Sequence, residues 1–337
     1  MEPYEFMQKQ SLPYEAKKIH AITRAREFYD RLDGNVFCSV GGLDSITLYL
    51  FLQKYVNKDI PGVSVSSLED KSIQKIHREL GLTALVPTKN KAEIIRYFGY
   101  PVISKNIADK IDLIQHPNEK NATVRHAILT GETGEQGGFK YSRFMRLPDK
   151  WRRLFIDQKA PFKVSAKCCY YLKEKPCDQY ARETGRAVYM GLMASEGGRR
   201  AQALVKHGCN YFGKTVTRSC PFAIFNKTDL LRLALELEVP VPEIYGEIVK
   251  LMNGELTTTK AHRTGCAMCG FGVHIEKRPH RFDRLRESNP KEWKFWMYDM
   301  GWGKVLDYIG VEWETFVEQQ GELFWQTIVP ENSSTVL

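Results

Sequence analysis

The chain has 337 residues, 43% hydrophobic and 26% charged. This allows one large domain with an appended lobe, or two modest domains, and excludes collagen-like, coiled-coil and largely disordered classes, a short polar end at Glu331–Leu337 apart. Lysine and arginine total 49 against 40 aspartates and glutamates, a net charge of +9, which suits polyanionic partners such as nucleotides or nucleic acid, and equally a phosphate-binding pocket on a solvated surface.

In chain order, helical apolar spacing runs first over Ala16–Leu32, through Ile19, Ile22, Phe28 and Leu32. Asp33-Gly34 breaks it, and Val36–Val40 reads as a buried strand. Gly41-Gly42 follows, and Asp44-Ser45 opens a helix to Tyr55. Pro61–Ser67 is a β-rich run, Lys71–Leu80 a helix with Ile73, Ile76 and Leu80 aligned, and Leu85-Val86 and Tyr100–Ser104 are strand or loop candidates. Asn118–Pro148 is polar and glycine-rich, a long loop with short helices. Ala187–Gly191 is strand-like, Ser195–His207 and Thr228–Leu237 are helical, and Pro290–Gln320 is aromatic-rich and mostly helical. Alternating strands and helices predict an α/β fold, a doubly wound parallel sheet with a smaller helical C-terminal lobe. Two prolines place a boundary near Val239–Tyr245, giving a nucleotide-binding domain over 1–240 and a cysteine-containing lobe over 241–337. Met1–Tyr14 carries no signal pattern, and the longest apolar run, Ile46–Leu52, is too short for a bilayer. A cytoplasmic protein without membrane contact is expected.

The stretch Val40-Gly41-Gly42-Leu43-Asp44-Ser45 lies between a strand and a helix. Two glycines let the backbone turn and aim N–H groups at an anion, and the helix adds its positive end. Ser45 can donate to a phosphate oxygen, and Asp44 can hold Mg²⁺ on the same phosphates. The alternative is a plain glycine turn with Asp44 as a helix cap.

Eight cysteines in a chain read as cytoplasmic point to metal or redox chemistry rather than disulfides. Cys168 and Cys169 are adjacent, and Cys266 and Cys269 form a Cys-x-x-Cys among glycines. Four soft ligands from two distant segments can close one metal site, either zinc or an iron–sulfur cluster. Cys220, beside a proline, is a rival ligand. Cys38 reads as a core residue, and Cys177 and Cys209 have no partner pattern. His274 and His280 read as structural. Two basic runs, Lys277–Arg286 and the aromatic-interleaved Arg143–Phe155, are either strand-tracking faces for nucleic acid or ordinary surface and core, the second reading being the commoner.

The loop resembles the Ser-Gly-Gly-x-Asp-Ser signature of the PP-loop, or adenine nucleotide α-hydrolase, superfamily, in its phosphoadenosine-phosphosulfate (PAPS) reductase branch. Val40 stands where that signature has serine, with Ser39 adjacent, and Leu43 where the reductases have lysine; leucine there occurs in relatives that cleave ATP to AMP and pyrophosphate. Tyr97–Lys105 resembles the family's second nucleotide-side segment, which makes Lys105 a phosphate contact. Cys168–Lys173 resembles the double-cysteine segment of cluster-bearing reductases. Gly191–Glu196 with Arg199 and Arg200 resembles the glycine–glutamate–arginine segment lining the nucleotide site. Cys220–Phe225 resembles the next segment, and Thr264–His274 and Leu306–Ile309 resemble a bacterial and phage subgroup. The resemblance runs in order from Glu15 to Gly310. It implies a Rossmann-like fold, ATP or a sulfated adenylate as substrate, and a [4Fe–4S] cluster on Cys168, Cys169, Cys266 and Cys269.

Three functions are compatible with these features. The first is an ATP-cleaving enzyme supporting sulfur transfer, with nucleic acid as a possible acceptor and a sulfur-donor protein as a possible partner. There Ser39, Gly41, Gly42, Ser45, Gly191 and Glu196 hold the nucleotide, Asp44 holds Mg²⁺, and Lys105, Arg199 and Arg200 neutralise charge. The second is a sulfonucleotide reductase, whose nucleophilic tail cysteine has no counterpart after Cys269. The third is a non-catalytic nucleotide-binding module of a defence or regulatory assembly.

Overall fold

The computed structural model describes residues 3–135, 138–142, 145–214, 216–262, 264–266 and 268–314, with residues 3, 135, 138, 139 and 199 described by their backbone only. The polar end Glu331–Leu337, the last part of the aromatic C-terminal stretch, Arg143, Phe144 and the Arg199 side chain lie outside the described residues.

The chain forms two compact units, each built from two segments: Met1–Phe98 with Ala166–Cys269, and Gly99–Ser165 with Gly270–Leu337. This differs from a single break near residue 240. The prolines there end a helix without ending the unit, because Ile248–Lys250 and Leu256–Thr258 form a hairpin that remains with the first segment.

In the first unit the elements are α1 (Pro3–Gln10), α2 (Tyr14–Arg31), β1 (Val36–Ser39), α3 (Leu43–Tyr55), β2 (Gly62–Ser64), α4 (Lys71–Glu79), β3 (Thr83–Ala84) and α5 (Lys91–Phe98). After Ala166 come α6 (Lys175–Thr184), β4 (Ala187–Met190), α7 (Gly198–His207), β5 (Asn210–Phe212), β6 (Thr217–Ser219) and α8 (Lys227–Glu236). The six-stranded sheet has the order β3-β2-β1-β4-β6-β5. Only the β5–β6 pair is antiparallel. Val36, Phe37 and Cys38 are buried in succession, as are Gly62, Val63 and Ser64, so both faces of the central strands are covered, as the apolar runs require of a parallel sheet. The core is continuous from Phe28 and Val36 to Phe222 and Phe225. From β1 the chain moves to β2 and β3 on one side, then returns to β4 on the other. The order therefore reverses at the carboxyl end of β1, where open α/β sheets bind ligands.

The second unit pairs Val102–Ile103 with Gly270–Phe271 in parallel. It also carries a hairpin, Glu132–Glu135 with Gly138–Tyr141, in the stretch expected to be loop and short helices. Trp302, Phe155 and Phe282 are almost wholly buried in it. Trp151 packs on His274 at 5.3 Å between ring centroids, and Tyr308 Oη donates to the Leu154 carbonyl at 2.6 Å. The basic runs are largely committed within this unit. Arg278 pairs with Asp283 at 2.6 Å, Arg281 with Glu276 and Arg146 with Asp149 at 2.8 Å. Among the described residues, no helix is long and apolar enough to cross a membrane.

Candidate functional site

The loop leaves β1 still bound to the sheet, because the Val40 amide donates to the Val63 carbonyl at 2.8 Å. Val40 is 4% exposed, so the position where the signature has serine is spent on core packing. Neither Gly41 nor Gly42 has a positive φ; Gly42 sits at φ −76° as the first cap of α3. The glycines are needed for space rather than for a left-handed turn. A Cβ on Gly41 would lie 3.3 Å from Glu69 Oε1, and one on Gly42 would overlap Tyr245 Oη and lie 3.2 Å from Thr264 Oγ1. Ser45 Oγ accepts from the Gly41 amide at 2.7 Å and donates to the Gly42 carbonyl at 2.9 Å, which ties the loop across its own mouth. The buried Tyr245 hydroxyl accepts from the Leu43 amide at 3.2 Å and meets Thr264 Oγ1 at 2.8 Å. Burial pushes that phenol up to about 12, against the pull of its two hydrogen bonds.

Two lysine–carboxylate pairs bracket the loop. Asp44 Oδ1 is 2.7 Å from Lys227 Nζ, and Glu69 Oε1 is 2.8 Å from Lys173 Nζ. His77, 2% exposed, donates through Nε2 to the Gly41 carbonyl at 2.8 Å, while its Nδ1 faces the hydroxyls of Ser64 at 3.0 Å and Ser66 at 2.9 Å. Accepting from those hydroxyls leaves Nδ1 unprotonated. Burial lowers the His77 pKa, with the Gly41 bond and the Glu69 charge opposing it, so a neutral imidazole holds the loop.

Gly191 follows β4, and a Cβ on it would press on the α3 backbone, 3.1 Å from the Asp44 carbonyl oxygen and 3.1 Å from Ser45 Cα. Ser39 Oγ lies 3.7 Å from Cys177 Sγ. Glu196 pairs with Arg200 at 2.6 Å, so Arg200 is committed to its neighbour one turn away. Lys105 belongs to the second unit, as the first residue of the helix Lys105–Gln115. Two residues before it, Ile103 has a φ of 66°, a left-handed backbone that β-branched residues avoid.

Cys168 and Cys169 stand in the helical turn Lys167–Cys169, which runs through a π-type turn, Tyr170–Glu174, into α6. Phe98 stacks on Tyr171 at 5.0 Å beside them. Cys266 and Cys269 close a turn in which the Cys269 amide donates to the Cys266 carbonyl at 3.0 Å. Met268 within it is buried with φ at 62°, a strained backbone of the kind that accompanies function. Cys168, Cys169 and Cys266 share one small apolar cluster, and the charges of Cys266 and Cys269 act on the Cys168 thiol. The Cys168 thiol is pushed far up by its hydrogen bond with Cys169, then by burial, then by the charges of Cys169, Cys269 and Cys266. Thiolates so arranged repel one another unless a cation lies among them. The set thus suits a soft metal centre in its chemistry. Among the described residues, no three His, Cys, Asp or Glu side chains are placed to hold a metal ion. Lys173 feels burial first, which lowers its pKa, but Cys266 and Glu69 outweigh that and raise it. Its charge therefore stands between the loop's acid and the cysteine turn.

Cys220 is placed apart from this group. It is fully buried in the sheet core, its amide donates to the Cys209 carbonyl at 2.8 Å, and burial pushes its thiol up to about 11. Cys38 is likewise a core residue.

Sequence reading missed His77, Glu69, Tyr245, Thr264 and Lys227, and gave Lys173 no role. A histidine on the apolar face of α4, among Ile73 and Ile76, was the one local signal available.

No family model matches the chain, and no curated protein does. Among solved structures, the PAPS reductase of Candida auris in its phosphate complex is similar at 12% identity, over 69% of this chain and 91% of that one, with a TM-score of 0.35. The U34-tRNA thiolase NcsA of Methanococcus maripaludis, with its [4Fe–4S] cluster, is similar at 15% identity, over 87% of this chain and 80% of that one, with a TM-score of 0.32. At such scores these likenesses do not bear on activity.

Proposed function

We propose that the protein is an adenine-nucleotide enzyme of the PP-loop, PAPS-reductase-like kind that cleaves ATP between its α and β phosphates to activate an acceptor for sulfur transfer. The observation that carries this reading is the loop's place. Gly41 and Gly42 lead into α3 at the point where the strand order reverses, which sets the positive end of that helix where open α/β sheets take their ligands. The cysteine quartet supports the sulfur half of the reading.

An oxygen of the acceptor attacks the α-phosphorus, the α–β bridging P–O bond breaks, and pyrophosphate leaves with the electron pair. No protein nucleophile is needed, only alignment and charge on the leaving group. The positive end of α3 holds the phosphates, Ser45 keeps the loop in shape through the Gly41 amide, and His77 fixes the Gly41 carbonyl from behind. Gly191 and Glu196 line the adenosine side. Asp44 supplies a carboxylate that suits Mg²⁺, and Arg199 and Arg200 are assigned to the phosphate charge. Cys168, Cys169, Cys266 and Cys269 would hold an iron–sulfur cluster, which supplies a route for binding and handing over sulfide.

Thin-layer separation of α-labelled ATP products, with and without DNA, RNA and a sulfide source, tests this. AMP or an adenylylated acceptor is expected. Sulfite release from a sulfated adenylate would favour the reductase, and bound but uncleaved ATP under every condition would favour a binding module.

A further inference from the structure

Lys227 lies at the loop although no sequence motif marks it. It is the first residue of α8, a poor place for a cation, because the helix end carries partial positive charge of its own. Its Nζ contacts Asp44 Oδ1 at 2.7 Å, and Asp44 is the second residue of α3. The Asp44 carboxylate therefore sits in the first turn of α3, against an ammonium. That is the electrostatic environment a phosphate seeks. The other charged groups near the loop are Glu69, taken up by Lys173 at 2.8 Å, and the neutral His77 on the Gly41 carbonyl.

We propose that Asp44 is an internal stand-in for the nucleotide's phosphate, and that Lys227 is a further phosphate-binding residue held in reserve by it. This deepens the nucleotide reading above and rests on it. When Mg²⁺–ATP enters, the Asp44 carboxylate turns to the metal and Lys227 Nζ passes to the phosphate oxygens. Metal and nucleotide are thereby coupled, since ATP without Mg²⁺ must compete with Asp44 for the same lysine. The exchange is inexpensive. The two side chains are 28% and 36% exposed, and a pair so open to solvent holds its partners together by no more than about fivefold in an equilibrium constant.

The inference predicts a reversal of sign that loss of a merely structural contact would not produce. Asp44→Asn should bind ATP more tightly than wild type in EDTA, by about twofold to fivefold, because Lys227 is released, and more weakly than wild type with Mg²⁺. Adding Lys227→Met to Asp44→Asn should cancel the gain in EDTA, whereas Lys227→Arg should keep it. Calorimetric titration of the four proteins with ATP, with and without Mg²⁺, reads these differences, and circular dichroism melts confirm that each variant folds. Asp44→Asn binding ATP in EDTA no more tightly than wild type would overturn the proposal, as would a gain that survives Lys227→Met. ATP bound by no variant in either condition would instead remove the nucleotide reading itself, and this inference with it.

Discussion

Replacing Gly42 with alanine tests why a glycine stands at the head of α3. Its φ of −76° is one any residue adopts, so the backbone itself carries little penalty. The obstacle is Tyr245, whose hydroxyl a Cβ would overlap. The ring is buried and cannot swing out, so the clash must be relieved by moving the hydroxyl away from the Leu43 amide and Thr264. Overpacking of this kind costs about 1–3 kcal/mol, and each buried hydrogen bond lost adds about 1 kcal/mol, so Gly42→Ala should destabilise α3 by about 3 kcal/mol. Tyr245→Phe deletes the obstructing oxygen and leaves Cζ at 3.5 Å from the new methyl, an ordinary contact. In that background Gly42→Ala should cost only about 1 kcal/mol, a coupling of about 2 kcal/mol. Native-state hydrogen exchange of the Leu43–Tyr55 amides in the four proteins measures it without relying on ligand. Costs that add to within about 0.5 kcal/mol would refute the steric account.

Cys168→Ser, Cys169→Ser, Cys266→Ser or Cys269→Ser should each abolish iron binding and broad visible absorbance after anaerobic purification, while Cys220→Ala keeps both; stoichiometric zinc without iron in the wild type would count against the cluster. Because burial holds His77 neutral, its folded pKa lies below the ordinary 6.5, and the unfolded chain binds more protons as pH falls past that value. The stability tied to this histidine is thus fully present above pH 6.5 and is lost on acidification. His77→Gln should be less stable at neutral pH and show a shallower acid limb in urea midpoints measured at successive pH values. Gly270→Ala would bring a Cβ to 2.8 Å from the Trp302 ring and 2.9 Å from the Pro101 carbonyl. A loss of about 1–3 kcal/mol in the second unit, read by tryptophan fluorescence, is expected.

The strand–glycine–helix core was legible because Val36–Val40 is a dense apolar run stopped by glycines, and such a run can only be a buried strand before a turn. Helices α2, α3, α4 and α8 fell within a residue or two of their expected bounds, α4 through its aligned Ile73 and Ile76; in α2, by contrast, Ile19 of the expected apolar set is exposed, while Ala21, Ala25 and Phe28 are buried. The pairing of Val102–Ile103 with Gly270–Phe271 was not legible, since a two-residue strand has no period to detect. The interleaving of the units was hidden with it. The two cysteine pairs stood out in the sequence because adjacency and Cys-x-x-Cys are local patterns. Lys227 on Asp44, Lys173 on Glu69 and Tyr245 on Leu43 join residues far apart in sequence, and only the fold brings such partners within reach. Val40 was legible only as a departure from a signature; its burial against the sheet supplies the physical reason.

Interleaving has a consequence for how the chain is made. Val36 on β1 finds its neighbour Ala187 on β4 only after the whole Gly99–Ser165 excursion has emerged from the ribosome, and the first unit is incomplete until Cys269. Until then one side of β1 is an open apolar strand edge, the kind of surface that pairs with the wrong chain. Non-local parallel pairing is also slow. Truncation at 240 should therefore yield aggregation-prone fragments, and the first unit is better isolated by removing Gly99–Ser165 and ending the chain at Cys269 than by a single cut.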